Sequence, residues 1–424
     1  MNIIDRDMHS TESEREMENK PNNNNNIIYF DLDECRDRRR CRRIIRGLSS
    51  SPPPHLRSLR PTFELASHVS PTMHSSPINL NSHFSSSSSS SASGKQKSLQ
   101  MFPVDTVSPP VYGYLSIAGR TPDMEDTLSV NLNLCSPLIN RRRPVHFFGV
   151  YDGHGGAHVS ALCKDMMHVL MREELMRVDI TGTGASGVCS RKGKEKKDEL
   201  EMPWKNAIRK CFERMDEAAL SYCHCRYSVG QCICNRMELS LTGSTAVVAM
   251  LTPDQVIVAN CGDSRAVLCR AGKCIPLSVD HKPDRADELA RITAAGGKVY
   301  NSNGLRVQGI LAMSRAIGDK FLKKVITSEP EIRFVKRHKD DECMILASDG
   351  LWDVVSSELA CEMASNCLRQ GVNAENNCQP VINSEGTGFY YPSACASAAT
   401  VITRLALSRS SYDNISVVVV DLRR

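Results

Sequence analysis

Five times in this chain a strand-length apolar run meets an acidic turn. Val150-Tyr151-Asp152-Gly153-His154-Gly155-Gly156 carries a nearly continuous apolar stretch into Asp-Gly, and Leu346-Ala347-Ser348-Asp349-Gly350-Leu351-Trp352-Asp353 repeats the device. Asn260-Cys261-Gly262-Asp263-Ser264-Arg265 is a third case, while Met124-Glu125-Asp126 and Asp413-Asn414 each stand just before a further run. Ordinary turn chemistry accounts for any one of these, because Asp-Gly is a favoured hairpin turn. It does not account for all five. Carboxylates gathered at one sheet edge repel each other unless hard cations neutralise them, and carboxylate and carbonyl oxygens suit Mg²⁺ or Mn²⁺.

The apolar runs themselves constrain the fold. Period-two alternation over 111–117 and 127–132 predicts half-buried strands, and the denser run over 145–151 predicts a central one. Further strands are expected over 245–251, 255–260, 266–270, 343–347 and 415–422. Helical spacing of Ala207, Cys211, Phe212, Met215 and Ala219 predicts a helix with Pro203 in its first turn. Helices are also expected over 284–295, where Gly296-Gly297 supplies a stop, over 358–368 and over 394–407. Strands come in groups joined by short turns while helices come singly, which implies antiparallel sheets with helices packed outside, an α+β arrangement. The stretches 181–197, 222–238 and 371–391 read as surface loops.

Composition divides the 424 residues unevenly. Asparagine, proline and serine runs at 22–26, 52–54 and 85–91 mark residues 1–106 as a mostly disordered tail, because such segments bury too little apolar surface to offset chain entropy. Within it, Arg36-Asp37-Arg38-Arg39-Arg40-Cys41-Arg42-Arg43 has the form of a nuclear-import address or of a solvated charged stretch. Fifty-three basic against 48 acidic residues give a net charge of +5, too little to imply a nucleic-acid partner. No apolar run is long enough to span a bilayer, so no membrane partner is expected. Without a signal-like h-region at the first residues, the 18 cysteines are expected to be free intracellular thiols.

Seven motifs then stand in one order: Tyr151-Asp152-Gly153-His154-Gly155-Gly156, Gly243-Ser244-Thr245-Ala246, Gly262-Asp263-Ser264-Arg265-Ala266-Val267-Leu268, Asp280-His281-Lys282-Pro283, Leu311-Ala312-Met313-Ser314-Arg315-Ala316-Ile317-Gly318-Asp319, Ser348-Asp349-Gly350-Leu351-Trp352-Asp353 and Asp413-Asn414-Ile415-Ser416-Val417. Together they resemble the metal-dependent type 2C Ser/Thr protein phosphatases, over a domain at 107–424. The stretch Arg143-Pro144-Val145-His146-Phe147-Phe148-Gly149-Val150-Tyr151 looks closest to the plant group that acts in abscisic-acid signalling.

The resemblance implies a four-layer αββα sandwich, two antiparallel sheets flanked by helices, with two Mn²⁺ or Mg²⁺ ions at one end. Carried over by position, Asp152 bridges both ions, Gly153 offers its carbonyl, and Asp349 and Asp413 complete the direct ligands. Glu125 and Asp126 hold waters around the ions, and Asp263 with Asp353 serve a weaker third site. An activated water attacks phosphorus in line, and His154 protonates the leaving Ser or Thr oxygen. The implied substrates are phosphorylated Ser/Thr kinases and the implied location is the nucleus, with cytoplasm as a second compartment. A different class of function also fits the fold, a non-catalytic module that inhibits a kinase by occupying its cleft; the intact acidic set favours the enzyme.

Two positions depart from the family pattern. The usual phosphate-binding arginine, five residues before the Asp of Met-Glu-Asp, is Thr121 here, and the neighbouring Arg120 is the candidate in its place. In the abscisic-acid group a tryptophan inserts between the loops of the hormone receptor. Here Asn301-Ser302-Asn303-Gly304-Leu305-Arg306-Val307 puts Ser302 at that position, and the next contact, usually aromatic, is Gln308. Buried tryptophans are typical interface anchors, so receptor affinity is expected to be weakened.

Rival motifs fail or stay open. His224-Cys225 lacks the arginine six residues on that a cysteine-phosphatase loop needs, since Gln231 stands there. Gly182-x-Gly184-x-x-Gly187 has dinucleotide spacing but no clear strand before it. Cys223, Cys225, Cys232 and Cys234 read either as a zinc site or as a reduced cysteine-rich loop.

Overall fold

The computed structural model describes residues 27–29, 108–178, 193–221, 240–301, 304–377 and 393–423. The arginine cluster at 36–43, Cys223, Cys225, Cys232, Cys234 and Ser302 lie outside these residues. In chain order the elements begin with β1 (Ile27–Tyr29), β2 (Tyr112–Ile117), β3 (Thr127–Cys135), β4 (Val145–Tyr151) and β5 (Gly153–His154). Two long helices follow, α1 (His158–Arg177) and α2 (Gly193–Ser221). Then come β6 (Gly243–Ser244), β7 (Ala246–Leu251), β8 (Gln255–Cys261), β9 (Arg265–Arg270), β10 (Lys273–Pro276) and α3 (Ala286–Ala294). After β11 (Val299–Asn301), β12 (Leu305–Val307), β13 (Ile317–Gly318), β14 (Glu331–Lys336) and β15 (Asp341–Ala347), the chain closes with α4 (Asp349–Trp352), α5 (Ser357–Asn377), α6 (Ala394–Ser408) and β16 (Ile415–Asp421).

The chain divides into two units, 52–281 with 315–424, and 1–51 with 282–314. In the larger unit two five-stranded antiparallel sheets run in the orders β14-β8-β7-β4-β3 and β10-β9-β15-β16-β2. Three apolar layers separate the elements. Phe147 and Tyr151 of β4 pack with Met167, Ile208 and Phe212 of α1 and α2. Phe148 and Val150, on the other face of the same strand, pack with Leu268, Met344, Leu346, Val418 and Val420 of the second sheet. The far face of that sheet meets α4, α5 and α6 through Ile345, Trp352, Leu368 and Ile402. Helix, sheet, sheet, helix is the four-layer α+β sandwich expected from the motifs. Covered on both faces, β4 is buried at every residue, which is why its sequence does not alternate.

In the smaller unit, β11 and β12 form an antiparallel hairpin, and β1 pairs in parallel with β11. Ile27–Tyr29 is therefore a strand within the stretch expected to be tail.

Local expectations need correction at several points. Pro203 lies inside α2 rather than in its first turn, and Gly193–Lys197, expected in a loop, are its opening residues. Among the described side chains of α2, Trp204, Ala207, Ile208 and Cys211 are buried directly after the proline, where the apolar stripe lies. Likewise α5 continues to Asn377, past the expected end at 368 and into the predicted 371–391 loop. The twenty residues of α1 were not anticipated at all, because Ala157 at its N-cap offers no capping side chain to announce the start. Both β10 and β14 are also additional to the expected strands.

Phe148 fills the layer between the sheets and meets the Tyr112 ring edge-on at 6.0 Å. Phe148→Ala should cost about 3–5 kcal/mol of stability, read as a lowered midpoint in urea unfolding. A loss under about 1 kcal/mol would show that this layer is not close-packed.

Candidate active site

Strand β4 delivers Asp152 to the end of the first sheet, where its backbone is held from both sides by one residue. Thr245 N–H donates to the Asp152 carbonyl at 2.8 Å, and Asp152 N–H donates to Thr245 Oγ1 at 3.1 Å. Thr245 Oγ1 also lies 2.8 Å from Ser264 Oγ, which ties this turn to the one carrying Asp263. Gly262, at φ +116°, turns the chain between β8 and β9, and a Cβ there would lie 2.6 Å from Thr245 Cβ. His281 N–H and Asn260 Nδ2 both donate to the Gly262 carbonyl, at 3.0 Å each. Arg265 then forks onto Asp280 at 2.9 and 2.7 Å, with its guanidinium 5.2 Å from the Trp352 ring centre. Three motifs far apart in sequence are locked together by these contacts.

Asp349 opens α4 directly after β15. Ser348 before it caps nothing; its hydroxyl donates to Asp126 Oδ2 at 2.7 Å, and Ser416 N–H donates to Ser348 Oγ at 3.0 Å. Asn414 organises the remaining side. Its Oδ1 accepts from the backbones of Glu125 at 2.7 Å and Asp126 at 3.3 Å, and its Nδ2 donates to Ala118 O, Asp123 O and Thr121 Oγ1. Gly350 sits so close to this segment that a Cβ would come within 2.0 Å of the Asn414 carbonyl. Gly153 is confined too, with Glu125 O 2.5 Å from where its Cβ would stand.

Carboxylate oxygens of Asp152, Asp263 and Asp349 converge within 4.8 Å of one another, the only such group among the described residues. Burial pushes the Asp152 pKa well above the carboxylate range, and the charges of Asp349, Asp126, Asp263 and Asp413 push it the same way. Burial also raises Asp126 to about 6 against the hydrogen bonds it receives from Ser348 and Ser416, with Asp413 adding to the rise. Glu125 is raised by burial, partly offset by the nearby His154. All donors are hard oxygens crowded at mutual cost in free energy, which is the donor set that Mn²⁺ or Mg²⁺ fits.

The grouping differs from expectation in detail. Asp263, expected at a weaker third site, stands in the tight triad with Asp152 and Asp349, while Asp413 and Asp126 flank it. Asp353 lies past the end of α4 and acts electrostatically on Arg265. Arg120 points elsewhere. Its guanidinium donates to Ser411 O at 2.6 Å and Leu407 O at 3.1 Å, where α6 ends, beneath the Tyr412 ring. Carbonyls at a helix end attract a cation, so Arg120 is committed there rather than to a phosphate. Thr121, in the family arginine's place, bonds within its own loop to Ala118 O at 2.7 Å. His154 Nε2 stands 2.8 Å from Oδ2 of Asp319, the last residue of the Leu311–Asp319 motif, and no linear spacing announces that pairing. Burial alone would lower the histidine pKa, but the Asp319 charge and hydrogen bond, with Asp263 and Glu125, outweigh it and raise the value.

Comparison with known proteins fits this geometry. The family model described as Protein phosphatase 2C matches residues 112–415. The chain is 51% identical to the Arabidopsis thaliana protein named Probable protein phosphatase 2C 75, over 75% of each chain. It is 46% identical to Probable protein phosphatase 2C 24 of the same plant, over 75% of this chain and 80% of that one. Among solved structures, a serine-threonine phosphatase 2C from Toxoplasma gondii superposes with a TM-score of 0.56 at 25% identity, covering 74% of this chain and 95% of the other.

Crowded carboxylates set a pH signature. Asp126 keeps its proton up to about pH 6 when folded but has an ordinary value of 3.8. Its raised pKa makes a stability contribution that is complete below the unfolded value and lost as pH rises through the folded one. In chelator, the melting temperature should therefore fall between about pH 4 and pH 7, more shallowly in Asp126→Asn, and Mn²⁺ at pH 7 should restore it. An identical slope in Asp126→Asn would remove this carboxyl from the account.

Proposed function

The chain belongs to the protein phosphatase 2C family and is a metal-dependent Ser/Thr protein phosphatase, and on that premise we propose how its residues divide the work and what they act on. The convergence of Asp152, Asp263 and Asp349 carries the reading. These three side chains would hold the Mn²⁺ or Mg²⁺ ions, with Asp413 adding its charge to the same field and the Gly153 carbonyl assigned by the family pattern. When bound, the ions supply Lewis acidity, lowering the pKa of water and neutralising phosphate charge. Asp126 and Glu125, fixed by the Asn414 amide, orient water at the rim of the site. Water attacks phosphorus opposite the seryl or threonyl oxygen, and His154 gives that oxygen a proton as it leaves.

We further propose that the substrates are phosphorylated stress-activated kinases, that the enzyme is a negative regulator in abscisic-acid signalling, and that it acts in the nucleus. Arg143 to Tyr151 and the arginine cluster at 36–43 support this by resemblance and composition. Receptor control is weakened relative to the group. Ser302 replaces the anchoring tryptophan, and Gln308 turns back on its own hairpin, with Oε1 accepting Lys298 N–H at 3.2 Å and Gln308 N–H donating to Lys298 O at 2.8 Å. An amide folded inward presents no ring to a partner.

Turnover of a phosphothreonyl peptide with Mn²⁺, then with chelator, tests the chemistry. Asp152→Ala should lower it by about 10³-fold or more, the scale of several kcal/mol of lost charge stabilisation. Near wild-type Mn²⁺-dependent turnover in that variant would dismiss the assignment. For regulation, hormone-bound receptor is titrated against wild type and Ser302→Trp. The indole should tighten inhibition by about thirtyfold, since an interface anchor contributes about 2 kcal/mol. Potent inhibition of wild type that the indole leaves unchanged would refute the weakened-receptor reading.

A further inference from the structure

The short ladder β13-β6-β5 has one purpose visible in its register. His154 and Gly318 are both paired with Gly243, one on each side. Asp319 follows Gly318, so the ladder brings an imidazole and a carboxylate together over a residue without a side chain. A Cβ on Gly243 would stand 2.1 Å from Asp319 Oδ2 and 2.4 Å from His154 Nε2. Only glycine leaves room for the pair.

Asp319 is held in place from outside the site. It is 1% exposed and adopts the left-handed conformation at φ 51°, unusual for a residue with a side chain. Its N–H donates to Thr242 O at 3.0 Å. The preceding Gly318 N–H donates to Asp216 Oδ1 of α2 at 2.8 Å, and Lys323 Nζ pairs with the same oxygen at 2.6 Å. Helix α2 thus braces the turn that aims the carboxylate. On the other side of the ring, His154 Nδ1 is buried and has no hydrogen-bond partner among the described residues.

We propose that Asp319 is the positioning residue of His154: its carboxylate accepts Nε2–H and fixes the ring, leaving Nδ1 as the atom that delivers the proton. This rests on the reading of His154 as the proton donor. In the step, the bond from phosphorus to the seryl or threonyl oxygen breaks and its electron pair goes to that oxygen, which takes the Nδ1 proton. Water forms the new bond to phosphorus and gives up one proton to solvent, which in turn returns a proton to Nδ1. The net reaction is phosphomonoester plus water to alcohol plus phosphate.

Leaving-group dependence separates positioning from mere structural support. An alkoxide needs a proton as it departs, whereas nitrophenolate is stable without one. Asp319→Asn should therefore lower kcat on a phosphothreonyl peptide about 10²-fold, the lower end of general-acid effects, while p-nitrophenyl phosphate changes less than about threefold. His154→Gln should show the same split, and the double variant should be no worse than His154→Gln alone, as for residues acting as a unit. Equal losses on both substrates in Asp319→Asn, beside a split in His154→Gln, would overturn the positioning role and leave the donor standing. No split in His154→Gln would overturn the donor reading and the positioning role with it. Should Asp319→Asn fail to fold, Asp319→Glu and Gly243→Ala take its place. Restored peptide turnover in the first and the same substrate split in the second support the proposal; equal losses in Gly243→Ala count against it.

Discussion

Buried like charges are the constraint around which this domain is arranged. Asp152, Asp263 and Asp349 sit closer than unscreened carboxylates tolerate, with Asp126 and Asp413 adding to the field. Either protons or cations must stand among them, and everything nearby serves to keep the geometry fixed until a cation does. The supports are neutral: threonine and serine hydroxyls, the Asn414 amide and backbone N–H groups. Cationic side chains near the site are already engaged, Arg265 on Asp280 and Arg120 on helix-end carbonyls.

Rigidity of this kind depends on the four layers. Each aspartate is anchored by a strand or helix whose apolar residues are clamped between sheets or between sheet and helix, β4 with Phe147 facing one layer and Phe148 the other. Close packing lets little of a strand's position drift. The tight approaches at Gly153, Gly262 and Gly350 show the same economy of space at the turns, where backbone replaces side chain.

Much of this was legible in the sequence, for identifiable reasons. Strands such as β4, β7, β8 and β16 declare themselves because both faces are buried and their runs are almost wholly apolar. Acidic turns after such runs point to a metal, and three of them, at Asp152, Asp263 and Asp349, converge in the fold. What stayed hidden was pairwise. Nothing in a linear motif says that Asp319 reaches His154 across Gly243, or that Asp263 completes the triad, because those contacts are set by register between distant strands. Arg120 shows the same limit, since the carbonyls it meets lie nearly three hundred positions on, at Ser411 and Leu407. Helix α1 lacked a capping residue to mark it, and Pro203 suggested a start where the helix was already under way.

Strand β16 lies between β15 and β2, hydrogen-bonded to both, so the last segment of the chain is an interior strand and β2, from the opening of the domain, is an edge that waits for it. Chains emerge from the ribosome amino end first and fold in that order where they can. Here the second sheet cannot close until β16 has been made, and Asp413 and Asn414 arrive with the same segment. A growing chain that has not reached β16 therefore holds most of its acidic turns without the amide that fixes Glu125 and Asp126.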